Sequence, residues 1–241
     1  MAEQMNLDEI QFQERINSGT SWTNNEQFDK DGYIVVKDLW DPKELFVPVP
    51  EMRGQINYWG KREDQFTFDN LEGQVEGSLA CYTRPQYLHI HSGIRIKLEK
   101  VIGRKLYNTY YYDRFYFAGQ GLALHADRPA CEISVSVHIG TNLKECWPLW
   151  IKTPDTYSDK KKTEVVKSGE NRSVCLEPGD GMIYKGCERP HWRDPLVSKD
   201  TGNHFIRKLG QKDDTYYHQV FFHYVLADGE RAQCANDMAR E

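Results

Sequence analysis

The sequence predicts a mainly β protein with supporting helices, built on a double-stranded β-helix, or jelly-roll, core. Three observations carry that prediction. From Tyr107 onward, eight short strand-like runs follow one another with Gly, Pro and Asn turns between them. Aromatic residues make up 12% of the 241 residues, fourteen of them tyrosine, which suits pleated surfaces better than a helical bundle. Before those runs, one stretch from Tyr87 to Leu106 has the helical period instead. Ile90, Ile94, Leu98, Val101 and Ile102 recur on one face, with Arg95, Lys97, Glu99 and Lys100 between them. Apolar residues at 39% are enough for a real core in one domain.

Residues 1–27 form a polar extension with a weak helical pattern (Leu7, Ile10, Ile16). A single domain is expected over 28–241, divided into a strand with supporting helices (28–106), the β-core (107–226) and a tail (227–241). Phe28–Lys37 is the first firm element, in which Asp31-Gly32 turns the chain into a short β-branched strand. Asp41-Pro42-Lys43-Glu44 reads as an N-cap with proline at the first helical position. Between 51 and 85, four glycines suggest long loops. The core strands are expected at Tyr110–Phe117, Leu122–Asp127, Ile133–Ile139, Trp147–Lys152, Ser173–Leu176, Met182–Tyr184, near His191, and at Tyr216–Val225. Thr153–Arg172 and Asp194–Asp214 are long connections that read as mobile lids over a site.

Net charge is −5 and the basic residues are dispersed, so no nucleic-acid footprint is expected. The six cysteines are widely spaced without a CxxC pair and read as reduced thiols. No charged-then-apolar leader opens the sequence, and no apolar run approaches the ~20 residues of a membrane span. A soluble, cytoplasmic protein with no membrane partner is the expectation.

The chemistry centres on Gly121-Leu122-Ala123-Leu124-His125-Ala126-Asp127. Side chains two apart on a strand share a face, so the donors of His125 and Asp127 can converge. Such a pair can also do no more than hydrogen-bond to itself. A distal histidine, His191, falls near the seventh strand, and strands two and seven are neighbours in a double-sheet roll. Two imidazoles and one carboxylate can hold a divalent iron on one face and leave the opposite positions open.

The run Tyr116-x-x-Gly119-x-x-Leu122-x-x-His125-x-Asp127, followed by His191-Trp192-Arg193, resembles the 2-oxoglutarate- and Fe(II)-dependent oxygenases. It is most similar to their prolyl-4-hydroxylase-like branch, in its small bacterial and phage forms, over roughly residues 107–226. The resemblance implies Fe(II) on His125, Asp127 and His191, with 2-oxoglutarate and O2 as co-substrates and ascorbate as an auxiliary reductant. It also implies hydroxylation of a substrate C–H bond, with succinate and CO2 as co-products. A prolyl residue of a peptide or protein is the leading substrate class, and a free amino acid or small metabolite the alternative. A cupin-like metal- or ligand-binding roll without oxygenase activity is the reading from a different class.

One feature departs from the family pattern. A cation about ten residues after the distal histidine usually pairs with the far carboxylate of 2-oxoglutarate, but position 201 is threonine and Tyr216–Val225 has no Lys or Arg. Arg193 shares the face of His191 and is the first choice for that anchor, with Tyr116 assisting. Lys152 and Arg207 are the other candidates. Arg114 shares a face with Tyr116 and is a candidate substrate or co-substrate contact, as is Trp192. Arg128 is expected to pair with Glu132.

Overall fold

The computed structural model describes residues 26–49, 67–68, 75, 78–159, 161–199 and 213–237. Most of the expected N-terminal extension, most of the 51–85 region and Arg207 therefore lie outside the described residues. Helix α1 (Glu26–Asp31) leads through Gly32, at φ 77°, into β1 (Tyr33–Val36). Helix α2 (Pro42–Leu45) begins as expected, with the Asp41 carboxylate accepting from the Lys43 amide at 2.9 Å and proline in the first turn. Two short strands, β2 (Thr67–Phe68) and β3 (Leu79–Tyr82), precede the long helix α3 (Leu88–Ile102). That helix starts after a 3-10 turn at Pro85–Tyr87 and stops at Gly103, whose left-handed φ of 66° ends it four residues before Tyr107.

The strands β4 (Leu106–Phe117), β5 (Leu122–His125), β6 (Ile133–Thr141), β7 (Leu149–Lys152), β10 (Asn171–Val174), β11 (Gly181–Tyr184), β12 (His191–Arg193) and β13 (Tyr216–Leu226) match the eight expected runs. They form two antiparallel sheets, one containing β11-β6-β13-β4 and the other β10-β7-β12-β5. β1 joins β11 at one edge of the larger sheet, and β3 with β2 extend it beyond β4. This is the double-stranded β-helix that the alternating runs predict. Thr153–Arg172 carries structure of its own, the hairpin of β8 (Thr156–Tyr157) and β9 (Val165–Lys167).

Two cores follow from strand alternation. Ile90, Ile94, Leu98 and Val101 of α3 are buried against Val135, Val137, Val220 and Phe222 on the outer face of the larger sheet. The inner faces of both sheets close on Tyr112, Tyr116, Trp147, Leu149, Ile151 and Tyr217. This second core holds the candidate site.

The expectation of six reduced thiols is corrected at one pair. Cys146 and Cys175 form a disulfide, with Cα atoms 5.8 Å apart. The cause is non-local: antiparallel pairing of β7 with β10 sets Leu149 opposite Val174, which brings the flanking cysteines together. Cys81, Cys131, Cys187 and Cys234 are outside the disulfide. Because the bridge closes a loop of 29 residues, Cys175→Ser should destabilise the fold by ~2–4 kcal/mol, read by urea denaturation.

Burial pushes the imidazole of His91 down to about 3 and that of His138 to about 4, against ~6.5 when unfolded. Both rings are neutral in the fold and take up a proton readily only on unfolding. Their contribution to stability is therefore present above pH ~6.5 and is lost as pH falls from there, towards about 4 for His138 and about 3 for His91. Going from about pH 7 to about pH 5.5 should cost roughly 1.3 kcal/mol per ring, measurable by denaturation at the two pH values. A stability independent of pH across that window would contradict the assignment.

Candidate metal centre

β5 and β12 lie side by side, with His191 directly opposite His125. Asp127 follows the end of β5, and its amide donates to Gly186 O at 2.9 Å. His125 Nε2 lies 3.5 Å and His191 Nε2 3.6 Å from the same Asp127 oxygen, Oδ1. The rings are aimed by their other nitrogens: His125 Nδ1 meets Ala123 O at 2.8 Å, and His191 Nδ1 meets Arg189 O at 2.9 Å. A backbone carbonyl only accepts, so each Nδ1 carries the hydrogen and each Nε2 offers its lone pair to the shared point. One donor atom from each of the three residues falls within 4.8 Å of the others, the spacing a divalent ion can bridge.

The second carboxylate oxygen, Asp127 Oδ2, accepts from Ser134 Oγ at 2.6 Å, and Ser134 Oγ lies 3.0 Å from His223 Nδ1. Burial opposes ionisation of Asp127. The field of His191, the contact with His125, the field of His223 and the Ser134 hydroxyl outweigh it and hold the carboxyl well below the usual range. Burial lowers His191 and keeps it neutral. For His125 burial also works downward, but Asp127 and the Ala123 carbonyl win and raise it. The ionised carboxylate and the neutral His191 are in the state that metal ligation requires, and an arriving ion would displace the proton that Asp127 favours on His125.

Gly186 is the backbone partner that permits this approach. A Cβ there would stand 2.3 Å from Asp127 Oδ2, 2.3 Å from Cys131 O and 2.6 Å from Ser134 Oγ. Gly186→Ala should push Asp127 aside and weaken Mn(II) binding by ~10–100-fold, the scale of lost support around a metal ligand. Calorimetric titration reads it, and unchanged affinity would show that Asp127 needs no such clearance.

Deeper between the sheets, Arg193 shares the inward face with His191 and is 3% exposed. Its Nη1 donates to Trp147 O and its Nη2 to Gln219 Oε1 at 2.8 Å, while the guanidinium lies 4.5 Å from the Trp147 ring and 4.6 Å from that of Tyr217. Tyr116 packs edge-on against Trp147 at 5.0 Å. Around this indole, three buried donors have no acceptor among the described residues: Tyr116 Oη, Arg193 Nε and Gln219 Nε2. An anionic group fits such a set, because every unmet atom is a donor.

Arg114 is fully buried on the same inward face, 5.6 Å from the Tyr116 ring, and its charge reaches His125. Trp192 points the other way, stacked on Trp150 at 5.9 Å on the outer face of the smaller sheet. Strand parity places it opposite His191 and Arg193, so it is not brought to the cluster. Lys152 also faces outward and pairs with Asp155 at 3.2 Å. Arg128 does not pair with Glu132. The 3-10 turn at Pro129–Cys131 separates them, and Arg128 reaches Asp237 at 2.8 Å while Glu132 takes Arg231 at 2.9 Å. Ser134, Gly186, His223 and Gln219 complete the surroundings without a local sequence signal, since each acts across strands.

No protein-family model and no curated protein matches the sequence. Solved structures share the fold. One is a Pseudomonas putida prolyl-4-hydroxylase, 13% identical, covering 82% of this chain and 95% of that one at a TM-score of 0.50. Another is a Trichoplax adhaerens prolyl hydroxylase in complex with a hypoxia inducible factor oxygen degradation domain peptide fragment, 12% identical over 97% and 96% of the two chains, TM-score 0.51. A third is EctD from S. alaskensis with 2-oxoglutarate and 5-hydroxyectoine, 12% identical over 86% and 79%, TM-score 0.53. The chain thus has the fold of prolyl-4-hydroxylases and other 2-oxoglutarate–Fe(II) oxygenases.

Proposed function

We propose that this protein is an Fe(II)- and 2-oxoglutarate-dependent dioxygenase that hydroxylates a substrate C–H bond. The observation that carries the reading is the convergence of His125 Nε2 and His191 Nε2 on Asp127 Oδ1, 3.5 and 3.6 Å away, within a double-stranded β-helix. His125 and His191 supply neutral nitrogen ligands and Asp127 a single negative charge, which leaves the remaining positions of the ion open. When bound, Fe(II) with 2-oxoglutarate and O2 supplies oxidative decarboxylation to succinate and CO2, coupled to hydroxylation. Arg193 and Tyr116, assisted by Gln219, donate to the far carboxylate of 2-oxoglutarate, and their unmet hydrogens support that role. Trp147 and Tyr217 flank the guanidinium and keep water from the ion pair.

The substrate is a peptide, with a prolyl residue as the leading target, or a small molecule. Ascorbate serves as an auxiliary reductant in this reading. Succinate formation from 2-oxoglutarate by the iron-loaded chain tests the reaction. The expected result is succinate that requires both Fe(II) and O2. Tight metal binding with no succinate under any condition would instead identify a metal- or ligand-binding roll.

A further inference from the structure

We propose that a cleft beside the connection leading into β12 is an anion site that docks a carboxylate or phosphate group of the substrate. Only its role towards a substrate rests on the oxygenase reading; the anion site itself stands on its own residues. The cleft has a volume of about 420 Å³ and lies between the end of α1, the turn after β7 and the connection from Lys185 to Pro190. Backbone bonds tie these walls together, from Lys185 N to Gly32 O at 3.0 Å and from Lys152 N to Pro190 O at 2.9 Å.

Its chemistry runs against that of the whole chain, whose net charge is −5. Five cations line it: Lys30, Lys152, Lys162, Lys185 and Arg189. Three carboxylates oppose them, from Asp29, Asp155 and Glu188. Lys152 is taken up by Asp155 at 3.2 Å. Lys185 lies 5.4 Å from the Phe28 ring and Lys162 5.7 Å from that of Tyr157, so both ammonium groups lie by aromatic faces.

Arg189 is the focus. Its side chain is 15% exposed; among the described residues its ion-pair partner is Glu188, 3.9 Å away, and its buried Nε has no acceptor. Its stem lies where only a glycine leaves room, since a Cβ on Gly32 would come within 2.6 Å of Arg189 Cδ. A guanidinium largely withdrawn from water with one distant counter-charge is under-compensated, and an arriving anion supplies what it lacks. The same residue's carbonyl orients the His191 imidazole. Arg189 thus belongs to the cleft through its side chain and to the support of the metal cluster through its carbonyl. The cleft shares no residue with the buried donors of Tyr116, Arg193 and Gln219.

The test uses the full chain, metal-free and without 2-oxoglutarate, titrated calorimetrically with pyrophosphate and separately with citrate. At least one should bind, with affinity falling as salt is raised. Arg189→Gln should weaken binding roughly ten-fold or more, on the scale of a charge-assisted hydrogen bond. Lys162→Gln, an exposed change on a different segment, should weaken it several-fold, and Lys43→Gln on α2 should leave it unaltered. Preference for pyrophosphate assigns a phosphate-bearing ligand, and preference for citrate a carboxylate-bearing one. If neither anion binds, or if Arg189→Gln and Lys162→Gln both bind like the parent, the site is refuted. Anion binding without succinate formation would leave the site standing and remove only the oxygenase reading.

Discussion

Asp127→Ala is expected to weaken Mn(II) or Fe(II) binding by more than ~100-fold and to abolish succinate formation. Loss of groups that only support a ligand costs ~10–100-fold, so loss of the one anionic ligand should exceed that. The three-residue cluster depends on Asp127 twice over. Its Oδ1 is the atom both imidazoles face, and its Oδ2 holds the Ser134 hydroxyl. The fold should survive, because the bond from the Asp127 amide to Gly186 O does not involve the side chain. Calorimetric titration with Mn(II) measures the effect, and a thermal melt of the metal-free variant confirms that it is folded. Parent-like affinity in a folded Asp127→Ala protein would place the metal elsewhere.

Arg193→Gln should lower the affinity for 2-oxoglutarate, measured on the Mn(II)-loaded protein, by roughly two to four powers of ten. Removing one member of a buried, hydrogen-bonded ion pair costs on the order of 3–5 kcal/mol. Arg193 is the inward-facing cation seated against Trp147, beside the unmet hydrogens of Tyr116 and Gln219. Tyr116→Phe, which removes one donor, should cost about ten-fold or less. Lys152→Gln should have no effect, because that side chain faces outward and is held by Asp155. Arg114 is the competing anchor, buried on β4 and felt by His125. If Arg114→Gln abolishes binding while Arg193→Gln binds normally, the far carboxylate is held from β4 and the assignment is wrong.

Much of the site was legible because it depends on strand parity and strand order. His125 lies on β5 and Asp127 just past its end, where the two side chains still converge, and His191 is their neighbour once strands two and seven pair, which β5 and β12 do. The same parity that turns Arg193 inward turns Trp192 out against Trp150, away from the cluster. What was not legible depends on contacts between distant strands. The Cys146–Cys175 bridge follows from the register of β7 and β10, which spacing does not encode. Gly186 and Ser134 matter because three connections meet at Asp127, and nothing in their own neighbourhoods marks them. Arg128 and Glu132 look like a helical pair in sequence, yet the 3-10 turn between them sends each to the C-terminal segment. The hairpin of β8 and β9 lies inside Thr153–Arg172, which the sequence presents as a lid connection, because its strands are two and three residues long, too short for alternation to register.

The central claim is that one metal ion and one 2-oxoglutarate share the space between His125, Asp127, His191 and Arg193. A crystal structure of the protein grown anaerobically with Mn(II) and 2-oxoglutarate tests it most directly. The account predicts one ion bonded to His125 Nε2, His191 Nε2 and an Asp127 oxygen, with the far carboxylate of 2-oxoglutarate against the Arg193 guanidinium and the Tyr116 hydroxyl. An ion bound away from these three side chains, or 2-oxoglutarate bound outside the space between the two sheets, would contradict it.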